Sequence, residues 1–397
     1  MQALLNGEGP GWQSELNAIR QQGLFRTRKE IVSPQGAVVT VAGREVVNFC
    51  SNDYLGLANH RGLVRAMGRA LNHFGVGSGA SQLVCGRSIA HAALEEALAR
   101  ATGRERALLF SSGYQANLAV ATTLCPGRND IIVADRLSHA SSIDGARLSR
   151  ARFRRYAHID VHALEKQLEK GGDHRKLVLT DGVFSMDGDI APVGDIAARC
   201  RRSGACLAVD DAHGFGVLGE RGRGTLELLG LNEQQVPVLI GTFGKALGVF
   251  GAFVAGPDAI IELLIQRARP YIYTTALPPA IAVTVKEALR LLDDEAWRRE
   301  RLRSLITYFR GGAARLGLAL PGSETPIQPL IIGTATAAVE LSEKLFQKGL
   351  FITAIRPPTV PANSARLRIT ITAAHTESQI DRLLETLSQL LDGAEVY

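Results

Sequence analysis

Lys245 is the residue in this sequence whose surroundings most suggest covalent chemistry. It follows a short apolar segment, 238–240, and a turn of small residues and one aromatic, 241–244. Such neighbours offer an ammonium group little compensation for lost water, so burial lowers the pKa of the amine. The neutral amine is the nucleophile that forms Schiff bases with carbonyl compounds. The alternative interpretation is an ordinary surface lysine in a loop.

A second chemical group follows the apolar segment 207–209. Asp210 and His213 are three residues apart, so both side chains can point into one crevice at the end of a strand. A carboxylate there can keep a pyridinium nitrogen protonated, and an imidazole can hydrogen-bond a phenolate oxygen. Asp and His also bind metals, but no further ligands with metal spacing accompany them, and we expect no metal.

The segment 107–110 is followed by a turn of small residues and an apolar helix that ends at Leu124. The first helical amides, at Gly113 and Tyr114, have no partner inside the helix and stand at the positive end of its dipole. This pattern predicts a phosphate site. An ordinary N-cap by Ser111 or Ser112 leaves the same pattern.

Two further polar side chains follow apolar segments. His139 comes after 130–134 and can present a flat ring to a ligand, although a histidine at a helix start has the same pattern. Ser185 comes after 177–180 and can hydrogen-bond a ligand.

The elements that must position these groups alternate between strand and helix patterns. This alternation predicts an α/β fold with a mainly parallel sheet and helices on both faces. Carboxyl ends of parallel strands meet at one sheet edge, so the candidate groups should converge there. These groups are Gly113, His139, Ser185, Asp210, His213 and Lys245.

The length of 397 residues, with 46% hydrophobic and 21% charged residues, suits a globular enzyme of more than one domain. We expect an N-terminal arm over 1–50, a large domain over 51–290 and a smaller α+β domain over 291–397.

In the smaller C-terminal domain, the strand pattern 365–371 places Arg366 and Arg368 on one face. Arginine facing a cleft would hold a carboxylate; a solvent-facing strand edge is the alternative.

The formal charge of +6 is small for this length, and no basic–aromatic recognition motif accompanies it, so nucleic-acid binding is not expected. An arginine cluster over 147–155 is either an anion-attracting patch or a solvated face. The five cysteines form no CxxC pair, which favours reduced thiols and a cytoplasmic protein. We expect neither a signal peptide nor a membrane span.

Taken in order, several motifs resemble the α-oxoamine synthases. They are Ser51-Asn-Asp-Tyr-Leu-Gly, Ser112-Gly-Tyr-Gln-Ala-Asn, Leu137-Ser-His-Ala-Ser, Val209-Asp-Asp-Ala-His-Gly and Thr242-Phe-Gly-Lys. The resemblance covers about residues 12–390. It implies a pyridoxal 5'-phosphate (PLP) enzyme with the aspartate aminotransferase fold, which is PLP fold type I.

The resemblance also implies roles for individual residues. Lys245 would bind the cofactor aldehyde and move the substrate's α-proton, with His139, Asp210 and His213 as its catalytic partners. The implied cofactor-binding residues are Gly113, Tyr114, His139, Ser185, Asp210, His213, Thr242, Lys245 and, from a second subunit, Thr274 or Thr275. The implied substrate-binding residues are Arg26, Asn52, His139, Thr359 and Arg368. Asp181 departs from the glutamate that relatives often carry, and it is not among these site residues.

Within the family, two further segments most resemble the enzymes of one particular activity, namely Phe184-Ser-Met-Asp-Gly-Asp and Thr353-Ala-Ile-Arg-Pro-Pro-Thr-Val-Pro. This activity is an acyltransferase reaction of biotin biosynthesis that condenses L-alanine with a pimeloyl thioester, releasing CO2 and the free thiol. The thiol is coenzyme A or acyl carrier protein. The resemblance further implies a homodimer with shared active sites. The alternatives are a sister enzyme, such as glycine C-acetyltransferase, and a catalytically idle partner subunit.

Overall fold

The computed structural model describes residues 11–170, 172 and 174–391. They form two compact units: Asn52–Arg303 is one, and the described residues up to Ser51 together with those from Ser304 onward are the other. The first ten residues of the predicted arm and the last six of the predicted small domain lie outside the described residues. The three-part division at 50 and 290 stays a prediction.

The described residues contain strands and helices in an order close to the predicted alternation. The strands are β1 Val38–Val41, β2 Arg44–Asn48, β3 Arg106–Phe110, β4 Ile131–Asp135, β5 Arg152–Tyr156, β6 Lys176–Asp181, β7 Cys206–Asp210, β8 Val238–Thr242, β9 Ala252–Gly256, β10 Ile327–Gly333, β11 Leu350–Phe351, β12 Ala354–Ile355 and β13 Ala365–Thr370. The helices are α1 Trp12–Gln21, α2 Arg61–Phe74, α3 Ile89–Thr102, α4 Gly113–Leu124, α5 Ala140–Leu148, α6 Val161–Glu169, α7 Val193–Arg202, α8 Thr225–Leu228, α9 Asp258–Arg267, α10 Arg269–Ile272, α11 Pro279–Asp294, α12 Trp297–Arg315, α13 Ala335–Gln347 and α14 Glu377–Leu391, with a π-helical turn at Gln82–Gly86.

The unit Asn52–Arg303 is built on a seven-stranded sheet in the order β3-β9-β8-β7-β6-β4-β5. Strands β8, β7, β6, β4 and β5 pair in parallel, and β9 runs antiparallel to both β8 and β3. The predicted α/β fold with a mainly parallel sheet is therefore confirmed.

The central strands of this sheet are apolar at nearly every position because they are covered on both faces. Leu177, Val178, Leu207, Val209 and Val238 are all buried. Helix α4 contacts β3, β8 and β9, whereas α6 and α7 contact β4, β5 and β7. Burying each such side chain contributes roughly 1.5–3 kcal/mol to the stability of the fold. The core therefore holds in place the strand ends that carry the polar groups.

The second unit contains two three-stranded sheets, β1-β2-β11 and β10-β13-β12. The apolar segments 38–41 and 46–49 on either side of Gly43 predict a hairpin, and the antiparallel pairing of β1 with β2 confirms it. The apolar segment 351–355 predicts one strand. This prediction is wrong, because β11 pairs with β2 and β12 pairs with β13, and the chain changes sheets between them. The helical region that the sequence predicts from 280 to about 314 consists of two helices: α11 ends at Asp294, where Glu295 leaves the helical conformation, and α12 begins at Trp297.

Within the described part of the chain, no helix combines the length and apolarity that crossing a membrane requires.

The burial of β7 predicts a clear difference between two leucine substitutions. Leu207→Ala removes a side chain with no exposed surface from β7, the central strand of the sheet, and it should lower the free energy of unfolding by about 2–5 kcal/mol. Leu148→Ala, at a position 64% exposed at the end of α5, should change it by less than about 0.5 kcal/mol. Urea denaturation measures both, and equal effects would contradict the placement of β7 at the centre of the sheet.

Candidate active site

The carboxyl ends of β6, β7 and β8, together with the N-terminal ends of α4 and α5, surround one cavity of about 160 Å³. Its lining residues are Gly113, Tyr114, Asn117, His139, Ser141, Asp181, Asp210, Ala212, His213, Thr242 and Lys245. Seven of the sequence-predicted site residues are among them: Gly113, Tyr114, His139, Asp210, His213, Thr242 and Lys245. The convergence expected at one sheet edge is therefore present for five of the six groups for which it was predicted, and Ser185 is the exception.

Lys245 is held in the cavity wall by a tight turn after β8. The N–H of Gly248 donates to the carbonyl of Lys245 at 2.9 Å, and the N–H of Val249 donates to Phe243 at 2.8 Å. Gly248 has a φ of +65°, and a Cβ there would lie 2.4 Å from the backbone nitrogen of Ala58. Only glycine fits this close approach, so the small residues around the lysine serve the turn that presents it.

Asp210 is buried and is oriented by two donors. The Asn117 side-chain amide donates to Asp210 Oδ2 at 2.6 Å, and the Ala212 N–H donates to Oδ1 at 3.0 Å. The neighbouring Asp211 accepts from the N–H and hydroxyl of Thr225 instead. Of the two consecutive aspartates, only Asp210 therefore lines the cavity.

His139 is joined to Asp210 through two polar side chains. The Asn117 amide also donates to Ser141 Oγ at 2.9 Å, and Ser141 Oγ lies 2.7 Å from His139 Nδ1. Since the Ser141 N–H also points at Nδ1, that nitrogen accepts and the ring proton belongs on Nε2. Burial lowers the pKa of His139, partly opposed by Asp210 and reinforced by Lys245. The ring is accordingly a neutral, flat surface.

His213 contacts the motif that begins at Ser51. The Tyr54 hydroxyl lies 2.6 Å from His213 Nδ1, and it also donates to Asn52 Oδ1 at 3.2 Å. Tyr54 is completely buried. The contact with Tyr54 occupies Nδ1 and orients the ring of His213. It also links that ring, through the Tyr54 hydroxyl, to the predicted substrate residue Asn52.

Asp181 lines the cavity although it is not among the sequence-predicted site residues. It ends β6 directly beside Asp210 on β7, only 3% of its surface is exposed, and it accepts from the His139 N–H at 3.2 Å. Burial raises the pKa of Asp181 well above its usual value, and the adjacent Asp210 raises it further. Its position at a strand end was the signal in the sequence that could have identified it.

Three residues that the sequence predicts to bind the cofactor lie elsewhere. Ser185 is in the loop after β6 and does not line the cavity. Thr274 and Thr275 line a separate small pocket with Gln82 and Tyr271. Their predicted roles, including the contribution from a second subunit, stay predictions.

The remaining predicted substrate residues belong to the other unit. Arg356 donates to the carbonyl of Phe25 at 2.9 Å, and Arg26 reaches the carbonyl of Pro357 at 3.5 Å. These contacts bring Arg26 to the segment that carries Thr359. Arg368 is buried on β13, which lies between β10 and β12, so the solvent-facing edge is excluded for this strand.

The cavity residues fit PLP on several observations. Helix α4 begins at Gly113 with Ser112 as its N-cap, which leaves the Gly113 and Tyr114 amides without helical partners. A Cβ on Gly113 would meet no protein atom within 4 Å, so the open space there faces the cavity. Asp210 is a buried carboxylate for a ring nitrogen, and Lys245 is an amine for an aldehyde. Together, the fold and the site define a PLP-dependent transferase of fold type I.

Comparisons with known proteins agree with this class. Residues 44–387 match the aminotransferase class I and II family. The 8-amino-7-oxononanoate synthase of Nitrosococcus oceani is 57% identical over 377 residues, which cover 95% of this chain and 100% of the relative.

Two solved structures are also similar. A serine palmitoyltransferase from S. paucimobilis with a bound PLP–myriocin aldimine has a TM-score of 0.91 at 31% identity, covering 98% of both chains. The 8-amino-7-oxononanoate synthase from Francisella tularensis has a TM-score of 0.76 at 34% identity, covering 88% of this chain and 98% of that one. This chain belongs to the aminotransferase class I and II family and, within it, to the 8-amino-7-oxononanoate synthases. The resemblance to the α-oxoamine synthases is thereby confirmed.

The link between Asp210 and His139 can be tested at Asn117. Asn117→Ala leaves Asp210 and Ser141 without their shared donor, which costs roughly 1–3 kcal/mol for a buried group. We expect the dissociation constant for PLP to rise about tenfold or more, measured by titrating the cofactor-depleted full chain. Thr122→Ala on the same helix loses a hydroxyl bonded within the helix and should leave PLP binding unchanged. An unchanged constant for Asn117→Ala would show that the link does not orient Asp210.

Proposed function

We propose that this chain condenses L-alanine with pimeloyl-CoA or pimeloyl-acyl carrier protein to give 8-amino-7-oxononanoate, CO2 and the free thiol, in biotin biosynthesis. The observation that carries the proposal is the grouping of Lys245, Asp210 and His139 around one cavity in a chain 57% identical to such a synthase. The cofactor is PLP, which supplies, when bound, a protonated ring that accepts the electron pair left at the α-carbon of alanine.

The chain's own residues have distinct tasks in this proposal. The carboxylate of Asp210 holds the proton on the ring nitrogen, and His213 hydrogen-bonds the ring oxygen. His139 covers the ring face. Lys245 Nζ would hold the cofactor aldehyde until the amino group of alanine displaces it. The freed amine would then take the α-proton and return a proton to that carbon after CO2 is lost.

Other residues bind the charged ends of cofactor and substrates. The amides of Gly113 and Tyr114 hold the phosphate. The phosphate's further hydrogen bonds come from Ser185, Thr242 and, across a homodimer interface, Thr274 or Thr275. Substrate is held by Arg368 at the alanine carboxylate, by Arg26 and Thr359 at the acyl group, and by Asn52 near the reacting carbon.

A homodimer with shared sites and a cytoplasmic location complete the proposal. Exposed apolar side chains that suit a subunit interface lie near the cofactor-binding helix and the threonine pair; examples are Tyr114 and Tyr273. The location is supported by five free cysteines, which are typical of a reducing compartment.

A sister activity is the second candidate because the TM-score is higher for serine palmitoyltransferase than for the Francisella synthase. The sequence identities favour the first proposal, at 57% against 31%. A similar backbone reflects the cofactor chemistry that these enzymes have in common. The contacts that select the acyl group and the amino acid depend on side chains, for which sequence identity is the better guide.

Thiol release tests the function directly. We expect rapid release with L-alanine and pimeloyl-CoA, and little with glycine and acetyl-CoA or with L-serine and palmitoyl-CoA. Lys245→Ala should lower kcat by roughly 10³-fold or more, whereas Lys286→Ala, at an exposed position on α11, should leave it unchanged. Release with one of the other substrate pairs would assign the sister activity, and release only from the carrier-protein thioester would fix the acyl donor.

A further inference from the structure

His158 is a half-buried histidine outside the cavity whose two ring nitrogens both face carboxylates. Nδ1 lies 2.9 Å from Asp135 Oδ1, and Nε2 lies 2.8 Å from Asp189 Oδ2. A carboxylate accepts hydrogen bonds, so both contacts are made at once only by an imidazolium, in which both nitrogens carry protons. The geometry therefore requires a positively charged ring.

The first carboxylate shapes the turn that leads to His139. Asp135 ends β4 and is completely buried. Besides His158, it accepts from the Leu137 N–H and the Ile159 N–H, both at 2.8 Å. His139 lies two residues beyond Leu137. A shift of the Asp135 carboxylate would therefore move His139 through one short turn.

The residue that carries the second carboxylate, Asp189, closes the loop of Ser185 through its backbone. The Phe184 N–H donates to the Asp189 carbonyl at 3.0 Å, and the Gly188 N–H donates to Phe184 at 2.8 Å. The ring of His158 also packs edge-on against Phe184, with centroids 4.4 Å apart. His158 thus contacts both the residue that precedes Ser185 and the residue that closes its loop.

We propose that His158 is a positioning residue that, as a charged bridge between Asp135 and Asp189, fixes the loops of His139 and Ser185 in register for PLP. This inference rests on the cofactor-binding roles proposed above. The Asp189 Oδ1 atom is buried without a hydrogen-bond partner, and Oδ2 faces the imidazolium. Removing the charge would leave two carboxylates on adjacent loops with unbalanced negative charge, and the loops would separate.

The electrostatics agree with the geometry. Burial alone lowers the pKa of His158, but the hydrogen bonds to Asp135 and Asp189 and their negative charges outweigh it and raise the pKa to about 10. The titratable groups facing the ring are Asp135 on β4 and Asp189 in the Ser185 loop; Tyr156 on β5 in turn faces Asp135. The bridge should persist at neutral pH.

The test compares PLP binding by four full-length proteins: the parent, His158→Gln, His158→Lys and the control His60→Gln. The control removes a histidine of similar exposure, 21% against 25%, that pairs with Glu295. We expect His158→Gln to raise the PLP dissociation constant about tenfold and to change the visible circular dichroism of the bound cofactor, which reports ring orientation. His158→Lys keeps a cation with several donors and should restore part of the affinity.

Unchanged affinity and dichroism in folded His158→Gln would overturn the proposal, as would an equal change in His60→Gln. If His158→Gln does not fold, Asp189→Asn removes the more exposed half of the bridge and should shift both readouts in the same direction; parent-like values in Asp189→Asn would overturn the proposal too. Because no substrate enters these measurements, a parent that binds PLP but makes no 8-amino-7-oxononanoate would refute the proposed function alone.

The bridge also predicts a pH dependence of stability. The pKa of His158 is about 10 in the folded chain and about 6.5 when unfolded, so its stabilising contribution is complete below pH 6.5. It is lost as the pH rises to 10. The difference in free energy of unfolding between the parent and His158→Gln should therefore shrink over that range, as measured by urea denaturation. A difference independent of pH would show that the charge of the bridge is unimportant.

Discussion

The parallel pairing of β6, β7 and β8 is the constraint on which the site depends. It sets Asp181 opposite Asp210 and Asp210 opposite Ile240. The pairing continues into the site itself, where the N–H of Gly182 donates to the carbonyl of Asp210 and the N–H of Asp211 donates to that of Ile240, both at 2.8 Å. A slip of one residue would turn every side chain to the opposite face, so the buried apolar strands that fix the register also fix the chemistry.

This arrangement buries two carboxylates side by side, which is costly unless each is hydrogen-bonded. Asn117 donates to Asp210, and the His139 N–H donates to Asp181. The pKa of Asp181 is raised because its burial and the adjacent Asp210 outweigh the hydrogen bond from the His139 N–H. The polar side chains around the cavity are therefore mutually dependent, and a change to one donor alters the charge balance of the pair.

Residues whose positions follow from the local strand and helix pattern could be predicted from the sequence. Contacts that form only when distant elements pack together could not. Lys245 and His139 follow strands and Asp210 ends one, and the parallel topology brings them together. Asn117 was missed because its role arises only when α4 and α5 pack against each other, which lets one amide reach both Asp210 and Ser141. The break between β11 and β12 was missed for the same reason: each short strand is defined by a different partner.

The two units contribute different kinds of information about function. The residues that would handle the cofactor, such as Lys245 and Asp210, are set by strand register in Asn52–Arg303, and a serine palmitoyltransferase shares that backbone closely at 31% identity. The predicted acyl contacts, Arg26 and Thr359, lie instead on irregular segments of the other unit, held by contacts such as that of Arg356 with Phe25. Loops vary more freely than a sheet core. Backbone similarity therefore identifies the reaction class, and we propose that the side chains of those segments select the thioester.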